Sequence, residues 1–127
     1  MGGRTIVVAI LTGSLCLTLA RAADEDANSA LKKCEQAKFH FAAVIEACSE
    51  AIRLDPENPF AWRRRGDAYL YDDLARDYDR AIADYDVAIR LDPKSWWAYT
   101  ARSYAWSRKG DHVRAAQDAE EARRLKP

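Results

Sequence analysis

Apolar residues in the second half of this chain recur at spacings of three and four. Between Tyr78 and Leu91, the residues Ile82, Tyr85, Val87, Ala88, Ile89 and Leu91 fall on one side of a helix. From Pro59 to Leu74, the large apolar residues Phe60, Trp62, Tyr69 and Leu70 stand among helix-tolerant polar ones, predicting a partner helix just upstream. Asp77 precedes the second of these helices and Asp111 precedes a similar one, both suited to capping orphan backbone N–H groups. Proline closes each unit, because it cannot continue a helix and turns the preceding residue away from helical angles. No stretch alternates like a strand. The pattern predicts an all-α chain.

The pattern also repeats. Ala51-Ile52-Arg53-Leu54-Asp55-Pro56 recurs letter for letter at Ala88–Pro93 and returns in worn form at Ala122–Pro127, at intervals of 37 and 34 residues. A period of this size marks stacked helix pairs, none of which can bury its apolar face alone. The first unit is degenerate. Its second helix is readable from Val44-Ile45 to Pro56, but its first, around Ser29 to Gln36, is short and lacks an aromatic anchor.

Residues 1–22 follow other rules. Arg4 gives a positive start, Thr5–Ala20 carries no charge, and Ala20-Arg21-Ala22 offers small residues where a signal peptidase reads. This predicts a signal peptide cleaved after Ala22, an uncleaved anchor being the alternative. The apolar run is 16 residues long, short of the roughly 20 that a spanning helix needs. The expected mature chain, 23–127, therefore has no membrane span. Leu15 before Cys16 argues against a lipoprotein signal.

Length and composition allow one helical domain: 127 residues, 49% of them hydrophobic. Lys and Arg together number 20, as do Asp and Glu, with no basic stripe for nucleic acid. Two cysteines remain after residue 22, Cys34 and Cys48. An oxidising compartment favours joining them, and an antiparallel helix pair with a short turn can bring them together. Two free buried thiols are the other reading. Neither His40 nor His112 has metal-site spacing to both, and no metal or cofactor is expected.

Trp62-x-x-Arg65-Gly66-x-x-Tyr69 followed by Ala81-x-x-x-Tyr85, Ala88 and Pro93 resembles a tetratricopeptide repeat. Tyr99-x-x-Arg102-Ser103-x-x-Trp106 followed by Ala115-x-x-x-Ala119, Ala122 and Pro127 resembles another. The resemblance implies about three stacked antiparallel hairpins, near 28–56, 57–93 and 94–127. The small residues would let helices approach, Gly66 against Ala81 and Ser103 against Ala115, while Trp62, Tyr69 and Tyr85 fill the space alongside. Arg65 and Arg102 stand where the family usually has leucine. Their stems would lie on the neighbouring helix and their heads would stay wet. Three extra residues between Tyr69 and Ala81 lengthen either the first helix or the turn after it. Small exported bacterial repeat proteins look similar in having a cysteine-paired leading hairpin. That likeness implies a Cys34–Cys48 disulfide capping the stack and a periplasmic location.

No catalytic constellation is present in the sequence, and the chain reads as a non-enzyme. His112 aligns with Tyr78 and Phe41, a packing position; His40 aligns with Asp77 and Asp111 at a helix start. The family resemblance implies a protein or peptide partner lying along the first helices, with self-assembly into an oligomer as the alternative. Residues not spent on packing would line that face: Arg63, Asp67 and Leu70, then Trp97, Thr100, Tyr104 and Arg108. Related proteins that grip an acidic chaperone carboxyl terminus use lysine and asparagine there. Asp67 and Ala101 replace the two asparagines, which argues against that clamp.

Overall fold

The computed structural model describes residues 13–38 and 40–127. Among the described residues six helices follow one another: α1 (Gly13–Gln36), α2 (Phe41–Leu54), α3 (Pro59–Tyr71), α4 (Tyr78–Leu91), α5 (Trp96–Lys109) and α6 (His112–Leu125). No strand occurs among the described residues. Consecutive helices pack pairwise along the chain, giving three stacked hairpins, with α3 also touching both α1 and α5.

Local chemistry sets the boundaries. Asn58 accepts a hydrogen bond from the Phe60 N–H at 3.1 Å, and Pro59 occupies the first turn of α3, where its missing N–H costs nothing. Asp77 and Asp111 cap as expected, accepting from Arg80 N–H and Arg114 N–H, each at 2.9 Å. Gly110 ends α5 at φ 87°, a left-handed conformation that suits glycine. The three extra residues of the middle repeat lengthen the turn and leave the helix unextended. The α3 helix stops at Tyr71, and the Asp72 side chain organises the turn by accepting from Leu74 N–H and Ala75 N–H at 2.9 and 3.2 Å.

The first helix is longer than the sequence suggested. Residues 1–12 of the expected signal segment lie outside the described residues, and α1 runs unbroken from Gly13 past the expected cleavage point at Ala22. Leu17 and Leu19 are exposed, and from residue 17 onward the first well-buried residue is Ala30. Cys34 on α1 and Cys48 on α2 are joined in a disulfide, with Cα atoms 4.6 Å apart, and both are fully buried. Around it lie Ala30, Val44, Ala51, Ile52, Ala61 and Ala68, flanked by Phe60 and Trp62; the indole N–H of Trp62 donates to the Pro56 carbonyl at 2.9 Å.

A second core surrounds Tyr85, with Leu70, Ala81, Ile82 and Ala105, and with Tyr69 and Trp106 alongside. Here the expected Gly66–Ala81 approach takes a different form. A Cβ on Gly66 would fall 2.8 Å from the Tyr85 ring, so the missing side chain makes room for the aromatic. Ser103 meets Ala115 as anticipated, donating to its carbonyl at 2.7 Å. Ala88 and Ala122 are buried beside their helix partners, and Pro93 sits exposed in the turn after α4. Tyr69 lies under the Arg80 guanidinium, Tyr99 under Arg102, and Trp106 under Arg114.

The two arginines in leucine positions are only partly exposed, their heads held by carboxylates instead of being left to water alone. Arg65 forks onto Asp84, both bonds 2.8 Å, and reaches Ser49 on the preceding hairpin at 3.0 Å. Arg102 repeats this on Asp118, at 2.8 and 2.7 Å, and reaches Asp86 at 2.7 Å. Asp84 and Asp118 are 5% and 7% exposed, so burial is tolerated because each carboxylate is paired bidentately. His112, expected in a packing slot, is exposed, because α6 has a partner only on its α5 side.

Candidate groove on the first helices

The residues proposed for binding lie on α3 and α5, the first helices of the second and third hairpins. Five of the seven come together. Arg63 and Asp67 from α3 face Trp97, Thr100 and Tyr104 from α5 across a cleft of about 430 Å³, completed by Arg64, Tyr71 and Ala101. Trp97 is 60% exposed and Tyr104 45%, and Trp97 stacks on Trp96 with ring centroids 3.8 Å apart. Tyr71 and Tyr104 stack across the cleft at 6.2 Å. Exposed aromatic rings beside guanidinium groups are the side chains most often found at the energetic centre of interfaces.

Two of the seven are elsewhere. Leu70 is 1% exposed and belongs to the Tyr85 core. A helix advances about 100° per residue, so position 70 turns back from Asp67 toward α4, whereas Tyr71, four residues after Asp67, keeps to the groove face. Arg108 is drawn aside by the phenol oxygen of Tyr78, to which its Nε donates at 3.4 Å. That contact, with a second from Arg76, holds the half-buried Tyr78 phenol below its ordinary pKa.

The hydrogen-bonding capacity of the groove is partly spent inside the protein. Asp67 accepts from Arg63 at 2.8 Å through one oxygen and from the Tyr85 hydroxyl at 2.8 Å through the other. Burial raises the Asp67 pKa, against the opposing pull of Arg63 and the Tyr85 hydrogen bond. Burial also raises the Tyr85 pKa, helped by the adjacent Asp67 charge. Thr100 donates back to the Trp96 carbonyl at 2.9 Å.

A smaller and drier socket of about 170 Å³ adjoins the cleft on the α1 side, sharing Arg64, Asp67 and Tyr71 with it. It is lined by the buried Val44 and Ala68, by the more exposed Phe41, and by Ala37, Lys38 and His40 from the turn between α1 and α2. Sequence reasoning missed Arg64, Tyr71 and this socket. Continuing the four-residue step from Arg63 and Asp67 would have reached Tyr71, but nothing in the sequence sets the α1–α2 turn against α3. Among the described residues no three His, Cys, Asp or Glu side chains are placed to hold a metal ion, and no helix is long and apolar enough to cross a membrane.

No protein-family model matches the chain. Over 60 residues it is 38% identical to the peptidyl-prolyl cis-trans isomerase FKBP4 of Mus musculus, covering 47% of this chain and 12% of that protein. Over 45 residues it is 43% identical to the DnaJ homolog subfamily C member 3 of Rattus norvegicus, covering 35% of this chain and 8% of that one. The chain thus spans only a small part of these curated relatives. Among solved structures, the second TPR of Spaghetti (RPAP3) bound to the HSP90 peptide SRMEEVD matches with a TM-score of 0.76 and 25% identity, covering 87% of this chain and 98% of that one. The MamA R50E mutant matches with a TM-score of 0.65 and 22% identity over 84% of this chain and 74% of its own, a likeness of fold.

Proposed function

We propose that this chain, which folds as a tetratricopeptide-repeat stack, is an exported interaction module that catalyses nothing and holds an extended peptide or partner segment along α3 and α5. The observation that carries this reading is the cleft in which Trp97, Tyr71 and Tyr104 stand exposed beside Arg63 and Arg64. Exposed aromatic surface of this kind is costly in water and is relieved by an apolar partner. That the RPAP3 domain carries a peptide supports the same use of the fold here. Export is supported by the leader-like residues 1–22 and by the buried Cys34–Cys48 disulfide, which suits an oxidising compartment such as a bacterial periplasm. Cleavage after Ala22 would leave 14 residues of α1, the length of α2, α4, α5 and α6.

Cross-linking from the exported fraction tests this reading, comparing the native chain with a Trp97→Ala/Tyr104→Ala double variant. Both side chains are largely exposed, so the variant keeps its helicity and should lose the cross-linked partner. Arg63 is a poorer choice, because removing it leaves the carboxylate of Asp67 half-satisfied. A partner held equally by both proteins would move the site off this face. If neither captures a partner and light scattering shows assembly growing with concentration, the self-associating reading replaces this one.

A further inference from the structure

Three arginines follow one another on α3, and only the middle one lacks a carboxylate. Arg63 is paired with Asp67 and Arg65 with Asp84, both at 2.8 Å. Arg64 makes no ion pair among the described residues; one terminal nitrogen donates to the Ala37 carbonyl at 3.0 Å. A guanidinium has five N–H donors, so most of its capacity is unspent. It is half-buried, and it forms part of the wall shared by the cleft and the socket. That position places a positive charge, already oriented by a backbone carbonyl, where a peptide passing from one to the other must cross.

The socket has a definite size. Its volume of about 170 Å³ is close to the roughly 150 Å³ of a buried apolar cavity known to accept a benzene ring. Its walls at Phe41, Val44, Ala68 and Tyr71 are apolar or aromatic, and Lys38 adds a second positive charge at the rim. The one acid that touches both spaces, Asp67, has both oxygens occupied by Arg63 and Tyr85, which offsets its repulsion of an incoming carboxylate.

Resting on the reading of this face as a peptide site, we propose that the groove selects an internal peptide segment in which a phenylalanine-sized side chain adjoins a carboxylate. The ring fills the socket under the α1–α2 turn, the carboxylate takes the free donors of Arg64, and the flanking peptide lies over Tyr71, Tyr104 and Trp97. Recognition needs no chain terminus, because the charge is read from a side chain.

The test is fluorescence anisotropy on the full chain with labelled 12-residue peptides, acetylated and amidated at their ends, built on Gly and Ser around a central Phe-Glu. Replacing Phe by Ala, or Glu by Gln, should each weaken binding about tenfold, the scale of a buried ring and of a charge-assisted pair. Arg64→Gln should bring the Phe-Glu peptide down to the Phe-Gln level while leaving the Phe-Gln peptide unchanged. Phe41→Ala, at a partly exposed position, should weaken the Phe peptides alone. Equal affinity for Phe-Glu and Phe-Gln, or an Arg64→Gln loss that is the same for both, overturns the inference. A mixed library of the same length separates this from the broader reading. Library peptides that shift the Thr100 and Tyr104 amide resonances without favouring the Phe–acid pair overturn the inference and leave an interaction module. If no peptide shifts them, both readings fail.

Discussion

Arg65 and Asp84 face each other in a two-pronged pair, Nε to Oδ2 and Nη2 to Oδ1, both at 2.8 Å, across the two helices of the middle hairpin. The same pair recurs one repeat later between Arg102 and Asp118. Removing one partner strands a charge in a place built to exclude water. Arg65→Leu should destabilise the fold by about 3–5 kcal/mol, whereas Arg65→Leu/Asp84→Leu should recover most of that loss, since apolar pairs of similar volume replace buried ion pairs without penalty. Urea denaturation of both variants decides the matter. A double variant as unstable as the single one would mean that Arg65 acts through Ser49 and not through Asp84.

The disulfide closes a separation of 14 residues within the weakest repeat, whose first helix brings no large aromatic to the core. Replacing both cysteines by alanine should cost about 3 kcal/mol, chiefly by freeing the unfolded chain. Hydrogen exchange should show the loss concentrated in α1 and α2. An equal loss of protection in α5 and α6 would contradict a local role.

Gly66→Ala sets two effects against each other. Alanine is the better helix former by about 1 kcal/mol. Its Cβ would lie 2.8 Å from a Tyr85 ring that is fully buried and tied by its hydroxyl to Asp67, so the ring has nowhere to move. Overpacking should win, with a net loss of about 1–3 kcal/mol in chemical denaturation. A neutral or stabilised variant would show that the ring can be displaced.

Two aspartates should give opposite pH dependences. Burial raises the Asp67 pKa above its ordinary 3.8, so its contribution to stability is fully present below that value and is lost as pH rises through the folded pKa. Asp77 is lowered, first by the Arg80 backbone N–H and then by the Arg80 side chain, so its contribution is present above 3.8 and lost as pH falls. Relative to wild type, Asp67→Asn should therefore gain stability as pH rises from about 2 to 7, and Asp77→Asn should lose it, most of the Asp77 change falling below 3.8. Urea midpoints across that range give both slopes; parallel slopes would refute the assignment.

The sequence carried the architecture because its signals are local. The hexapeptide ending at Pro56 and Pro93, the capping aspartates and the 3.6-residue periodicity each constrain one helix at a time, and α4 begins and ends where they place it. The groove was partly readable for the same reason, since Arg63, Asp67, Trp97, Thr100 and Tyr104 follow helical spacing on their own helices. What was not read from the spacing was the rotation of α3 against α4, which buries Leu70, although one more four-residue step beyond Asp67 leads to Tyr71. The polar partners were also hidden: Asp84 and Asp118 look like surface residues until the adjacent helix brings an arginine to them. Arg64 was passed over because its role depends on the α1–α2 turn, 27 residues away.

Asp67 belongs at once to the groove, through Arg63, and to the interior, through Tyr85. A guest that drew Arg63 toward itself would leave the carboxylate leaning on the phenol alone, and that phenol sits on the ring for which Gly66 gives up its side chain. Occupancy at the surface would then be registered at the centre of the middle hairpin. The repeat that does the holding would also be the one that reports whether anything is held.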